Sequence, residues 1–451
     1  MVTDPGQLPP EMKTQPPGRA CARYLDALAE FESPGLTPRR ARGKESRGAE
    51  HDPIVWAEAL GANVTDADGN RFLDLTAGFG AAAVGHRHPR VVQAVRQQAD
   101  RLLHALGDLH PAEVKIRLLE RLANKAPFEQ ARVVLGLSGS DAVEAALKSA
   151  LLATDKPGVL ASEGGYHGLS YGTLAVGGYK SEFRRPFAAQ LNPAVCFAAF
   201  PASAPKTEEP VLLSRAVDAV RACFRSAPTP VGAVLVEPIQ GRAGVREPVS
   251  GFLRALGSLC REQGALLIAD EIFTGLGRSG AIWRSVQEVT PDIICAGKAL
   301  GGGLPVSACI GRPEVMQAWG RQGDEALYAG TFFGHPLCCA AALAALGVID
   351  DEGLVERSRE TGDRLKQMLQ TLAAVRPGIR QVRGQGLMIG VELDRAGAAV
   401  RLAYLLLQRG YLTVPAGVRS EVLSLTPPLN IDPELLQGFT EILGDCLEEM
   451  A

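Results

Sequence analysis

Ile293-Ile294-Cys295-Ala296-Gly297-Lys298-Ala299-Leu300-Gly301-Gly302-Gly303-Leu304-Pro305 is a short apolar run that ends in a lysine fenced in by small residues. The run reads as a buried strand, with Lys298 delivered to its end, where backbone can approach without side-chain obstruction. A lysine so placed suits Schiff-base chemistry better than solvation. The same layout, a strand followed by a chemically equipped loop, recurs upstream. From about residue 130 short β-branched runs alternate with helix-like segments, which predicts an α/β fold with a mostly parallel sheet. The expected strands are 132–135, 158–161, 232–236, 265–269, 292–295 and 306–310. Ser138-Gly139-Ser140 follows the first, Glu237 the third, Asp270-Glu271 the fourth and Lys298 the fifth. Ligands of open α/β sheets bind beyond the carboxyl ends of the strands, so these residues are expected to share one crevice.

The whole chain sets the frame for that crevice. With 451 residues and 46% hydrophobic content it can bury one large core and a smaller one. Its net charge of -3 comes from interspersed charges, which argues against nucleic-acid or membrane partners and for small-molecule chemistry. Nine cysteines without C-x-x-C spacing, two of them the adjacent Cys338 and Cys339, fit reduced thiols, and no metal is expected. The polar, proline-rich start lacks the layout of a signal peptide and reads as a flexible tail. No apolar run is long enough to span a bilayer, so a cytoplasmic location is expected. The basic stretch 38–44 reads as a solvated loop.

Individual motifs carry competing readings. Ser138-Gly139-Ser140-Asp141 opens a segment in which Val143, Leu147, Ala150 and Leu151 recur at helical spacing. This is either an ordinary cap or a helix start whose free N–H groups bind a phosphate, with the Ser140 hydroxyl as a further donor. Asp270 and Glu271 are either charged loop residues or, beside a Schiff-base lysine, the source of a carboxylate that keeps a pyridine nitrogen protonated. Tyr166, ahead of His167 and Gly168, either packs or stacks on such a ring. Gly275, Gly277 and Gly280 satisfy the dinucleotide fingerprint, so an NAD-dependent oxidoreductase is the naive alternative. Ala281-Ile282-Trp283 is a poor helix start, however, and the acid and lysine would go unexplained.

Taken together, these segments resemble the class III pyridoxal-phosphate aminotransferases of the aspartate aminotransferase fold (fold type I), from about residue 53 to 433. The specific stretches are 63–74, 85–89, 138–145, 166–168, 236–241, 268–278 and 296–303. The resemblance implies a large domain at 87–340 with a mostly parallel, mixed sheet flanked by helices. A smaller α+β domain would be built from both chain ends, 23–86 and 341–451, with 1–22 as the tail. It implies that Lys298 holds pyridoxal 5'-phosphate as a Schiff base, that Asp270 pairs with the pyridine nitrogen and that Tyr166 lies on the ring. Ser138, Gly139 and Ser140 would hold the phosphate, while His167, Glu237 and Gln240 would line the cofactor cleft, Gln240 near the ring oxygen. Thr331 would reach the phosphate of a neighbouring subunit, which implies a homodimer or a tetramer.

The activity implied is ping-pong transfer of an amino group from an amine or ω-amino acid to 2-oxoglutarate or pyruvate. An aminomutase, racemase, decarboxylase or lyase on the same scaffold is the alternative, because fold does not fix reaction. Two departures bear on the substrate. Arg242 stands where many ω-amino-acid relatives have glutamate, and Ser424 where they have arginine. Arg242 is therefore expected to take the substrate carboxylate, against a plain surface arginine. Leu169 stands where several relatives have arginine, which weakens ornithine or acetylornithine as donor. Trp56, Phe79 and Trp283 are read as apolar pocket walls, with plain core as the competing role.

Overall fold

Tight turns build the first sheet: β1 (Trp56–Leu60), β2 (Asn63–Asp66) and β3 (Arg71–Asp74) pair antiparallel. The β2–β3 turn is set by Asp66, whose Oδ1 accepts from the amides of Asp68 and Asn70 at 2.9 and 2.8 Å. Tyr411–Leu412, from the far end of the chain, pairs in parallel beside β3, so both chain ends close one sheet. The computed structural model describes residues 4–34, 36, 53–202, 205–321 and 325–450. The basic stretch 38–44 lies outside the described residues.

The central sheet comprises β4 (Arg132–Gly136), β5 (Gly158–Ser162), β6 (Val195–Ala198), β7 (Val231–Val236), β8 (Leu266–Asp270), β9 (Ile293–Ala296) and β10 (Ser307–Gly311), in the order β4-β10-β9-β8-β7-β5-β6. β5, β7 and β9 are buried along their whole length, as strands covered on both faces must be. β10 alone runs antiparallel to its neighbours. The link 297–306 is shorter than the dozen or so residues a parallel crossover requires, so the chain turns back, and that turn carries Lys298. All six expected strands form, each within a residue or two of its expected ends. The half-buried edge strand β6 is the one the sequence reading missed.

β11 (Ile379–Gln385), β12 (Met388–Leu393), β13 (Tyr411–Leu412, already met beside β3), β14 (Val414–Ala416) and β15 (Val422–Leu425) complete the strands. Four of these make an antiparallel sheet ordered β11-β12-β15-β14. A helix, Ala398–Gln408, precedes β13. The architecture is thus α/β with a mixed central sheet and a smaller α+β part assembled from both chain ends.

Two expectations need correction. The boundary drawn at 340/341 falls inside the continuous helix Pro336–Asp351, which packs along Pro89–Arg101 and Glu113–Lys125. One apolar core runs through that helix, from Leu73 and Leu118 through Leu300 and Leu346 to Leu443. The start of the chain, expected as a flexible tail, is tied down from residue 4 onward. Leu8 exchanges two 2.8 Å bonds with the Asn63 amide, Glu11 and Arg71 form a backbone bridge, and Asn70 Oδ1 accepts from the amides of Lys13 and Thr14. The reason is that β3 would otherwise leave backbone groups unpaired there. Asp68, far away in sequence, caps helix Arg19–Phe31 by accepting from the amides of Ala20 and Cys21 at 2.7 and 3.0 Å.

Candidate active site

Parallel pairing aligns Val236 with Ala269 and Asp270 with Cys295, which sets the loops bearing Glu237, Asp270 and Lys298 side by side. Lys298 opens a 3-10 turn with φ +42°, a left-handed conformation that a non-glycine residue rarely adopts and that is often found at functional sites. Its Nζ lies 3.5 Å from the centre of the Phe273 ring. Burial brings its pKa down to about 8, against the pull of Glu237 and Asp270 and with help from the cations Arg278 and Arg242. The turn 77–80 closes over this lysine, since a Cβ at Gly80 would stand 3.0 Å from the Phe273 ring and 3.6 Å from Lys298 Cδ. Phe273, Gly80 and Arg278 are site residues that sequence reasoning missed. Two of them carry no chemistry of their own, and Arg278 sat inside a motif read for nucleotide binding.

Asp270, at the end of β8, is buried and makes a 2.7 Å bond from Oδ2 to Nδ1 of the fully buried His167, while Oδ1 accepts from the Ile272 amide at 3.1 Å. Burial works against an imidazolium, but the bond to Asp270 and the charges of Asp270 and Glu237 raise the His167 pKa on balance. His167 Nε2 is buried without a partner among the described residues. Glu237 accepts from the amides of Tyr166 and Gly241 at 2.8 and 3.1 Å, and burial pushes its carboxyl up to about 7. Glu271, next in sequence to Asp270, turns the other way, accepting from Thr274 Oγ1 and, at 2.6 Å, from the Ser285 amide. Of the two acids, then, Asp270 faces the lysine and Glu271 braces a turn.

Helix Gly139–Thr154 begins with a capping box: Ser138 Oγ accepts from the Asp141 amide at 3.2 Å, and Asp141 Oδ2 accepts from the Ser138 amide at 2.8 Å. Among the described residues the amides of Gly139 and Ser140 have no acceptor. Gly139 is required by packing, because a Cβ there would lie 3.0 Å from Ile272 Cδ1, and the same Ile272 side chain lies against Gly297. The helix start is therefore wedged between the loops that carry Asp270 and Lys298. Gly168, at φ +122°, lets the Tyr166-His167 loop pass directly over the Ser140 hydroxyl, where any side chain would collide.

The remaining expected residues are placed unevenly. Tyr166 is half-buried, and Arg242 is exposed with its Cζ 5.0 Å from the centre of the Tyr166 ring and no carboxylate partner among the described residues. Gln240 is fully buried, its Nε2 donating to the Glu163 carbonyl at 2.8 Å and its Oε1 accepting from Arg246 at 3.3 Å. A ring-oxygen contact would have to draw on its second amide hydrogen. Ser424 is buried in β15 between Gly390 and Val414. Phe79 is 63% exposed beside Gly80, Trp56 stands edge-on to His86, and Trp283 is core, donating to the Lys125 carbonyl at 2.7 Å. Thr331 is exposed in the loop ahead of helix Pro336–Asp351.

A lysine whose pKa burial lowers to about 8, a buried carboxylate fixed by a histidine, and a helix start with open amides define a site for an anionic cofactor bearing a reactive carbonyl and a basic ring nitrogen. The profile of the family "Aminotransferase class-III" matches residues 45–447, and the chain belongs to that family. It is 36% identical over 452 residues to a 4-aminobutyrate aminotransferase of Mycobacterium tuberculosis, covering 95% of this chain and 98% of that one. It is 31% identical over 457 residues to an alanine/serine racemase of Pyrococcus horikoshii, covering 98% and 93%. An amine transaminase from an uncultivated Pseudomonas species, solved in its PLP-bound form, superposes with a TM-score of 0.80 at 30% identity, covering 89% of this chain and 96% of that one.

The protein is thus a pyridoxal-phosphate-dependent aminotransferase of fold type I. The site fits that cofactor on its own terms: open amides for a phosphate, a buried anion for a ring nitrogen, and an amine of depressed pKa for its carbonyl. Among the described residues no helix is long and apolar enough to cross a membrane.

Proposed function

We propose that the enzyme moves an amino group from an amine or ω-amino acid to 2-oxoglutarate or pyruvate in a ping-pong cycle, with Lys298 holding the cofactor covalently between half-reactions. The observation that carries this reading is Lys298 itself, placed just past β9 beside the end of β8 that bears Asp270, with burial lowering its pKa to about 8. When bound, the cofactor supplies an electron sink for the pair left on the substrate carbon. Lys298 Nζ, when free, would take the proton from the substrate carbon and return it to the carbon on the other side of the transferred nitrogen. Asp270, aligned by His167 and Ile272 N, would hold positive charge on the ring nitrogen. The amides of Gly139 and Ser140 and the Ser140 hydroxyl would receive the phosphate, and Tyr166, its backbone fixed by Glu237, would cover a ring face.

Arg242 is the residue we assign to the acceptor's carboxylate. Among the described residues it has no acid to neutralise it; it lies over Tyr166 and is close enough to depress Lys298. Arg242→Ala should raise KM for the 2-oxo acid by about 10- to 100-fold, the worth of a charge-assisted hydrogen bond, and leave the cofactor absorbance intact. An unchanged KM overturns the assignment.

A second copy of the chain belongs in this reading. Thr331 and Phe332 are exposed beside Gly107, in a neighbourhood where Leu103, Leu106 and Leu109 are also exposed, so apolar surface surrounds the loop. We assign Thr331 to the phosphate site of that second copy. Nine free thiols support a cytoplasmic location. The kinship with an alanine/serine racemase gives the competing reading, in which no acceptor is consumed. Adding single amines and amino acids to the purified holoenzyme, then a 2-oxo acid, separates the two. Transamination gives stoichiometric carbonyl product and cofactor conversion to its amine form, whereas inversion of one amino acid without nitrogen transfer sinks the proposal.

A further inference from the structure

We infer that Tyr179 is a positioning residue for Arg242, which makes it a determinant of how tightly the enzyme holds the carboxylate of its 2-oxo acid. This rests on the assignment of Arg242 made above. The Arg242 guanidinium carbon lies 5.0 Å from the centre of the Tyr166 ring and 5.4 Å from that of Tyr179. The two rings stand at 89° to each other with centres 6.3 Å apart, so the cation sits in a corner of two aromatic walls. An arginine that is exposed and has no carboxylate partner among the described residues would otherwise sample many rotamers.

The corner is itself rigid. Tyr179 is buried, and its ring also meets Phe183 at 6.2 Å and Lys180 Nζ at 5.1 Å. Its segment is pinned at the end of β5, where the Gly164 amide donates to the Gly178 carbonyl at 2.9 Å and Gly178 presses on Ser162 too closely for a Cβ. The Tyr179 hydroxyl donates to the Gly417 carbonyl at 3.0 Å, and the Gly417 amide donates to the Arg242 carbonyl at 3.0 Å. Hydroxyl, β14–β15 turn and Arg242 backbone therefore close a loop, while the ring faces hold the side chain. Tyr166 belongs to the ring site proposed above, so the same corner fixes the guanidinium relative to the reacting centre.

The test compares Tyr179→Leu, Tyr179→Phe, Arg242→Ala and the Leu/Ala double variant, reading KM and kcat with 2-oxoglutarate and with pyruvate as acceptors. Tyr179→Leu should raise the 2-oxo acid KM about 3- to 10-fold, the range of a partly buried cation–π contact, with less than twofold on kcat. Tyr179→Phe, which keeps the ring, should recover most of that loss. The double variant should be no worse than Arg242→Ala, because a positioning residue has nothing left to position. Additive losses, or a Tyr179→Leu defect that falls on kcat, overturn the inference, as does an unchanged KM in Tyr179→Leu beside a raised KM in Arg242→Ala. An unchanged KM in Arg242→Ala instead removes the assignment beneath it.

Discussion

Lys298→Ala is expected to lower transamination by about 10,000-fold or more, because it removes both the covalent tether and the base at the substrate carbon. Steady-state turnover measures the loss, and borohydride treatment of the variant should no longer fix the cofactor to the chain. If turnover falls less than tenfold, the lysine is not the base. The pH dependence follows from its surroundings. Burial disfavours the ammonium, so the group titrates at about 8 and not at the ordinary 10.5. Below pH 8 the protonated, non-nucleophilic form dominates. Covalent capture of pyridoxal phosphate by the apoprotein should therefore quicken as pH rises and level off above about 8. An inflection near 10.5 would show a solvated lysine.

Asp270→Asn should cost about 3 to 4 kcal/mol of transition-state stabilisation, roughly 10²- to 10³-fold in kcat/KM. The amide still accepts from Ile272 but brings no charge to the ring nitrogen, and His167 loses the anion that raises its pKa. Glu271→Gln is the internal control. Its carboxylate serves Thr274 and the Ser285 amide, so its loss should appear in thermal stability far more than in turnover. Equal kinetic losses in the two variants would mean that the acids are not divided as the structure divides them.

That division shows where the sequence stops being legible. Asp270 and Glu271 are adjacent carboxylic acids, both buried, and nothing in the string says which faces the lysine. The fold decides it: Asp270 ends β8 and is drawn to His167, while Glu271, the first residue past the strand, is drawn to Thr274 and the Ser285 amide. The expected strands were readable because fully buried parallel strands are continuous apolar runs. β6 was missed because a half-buried edge strand of four residues lacks that contrast. The tail was misread because its partners, Asn63, Asn70 and Arg71, are polar side chains and backbone far away in sequence, and composition carries no trace of such pairing.

By itself the sequence determined the α/β class, the strand ends at which chemistry collects, and the lysine, acid and serine–glycine helix start that resemble a class III aminotransferase. Those are local properties: periodicity, small residues around a reactive group, and the capping preferences of a helix. Only the tertiary structure decided that Gly80 and Phe273 wall in Lys298 and that His167 fixes Asp270. It alone set Arg242 in a corner of two tyrosines. The physical reason is that a pKa, a cation–π contact and a buried hydrogen bond depend on distance and desolvation, and both arise only when residues far apart in the sequence are brought together by the sheet.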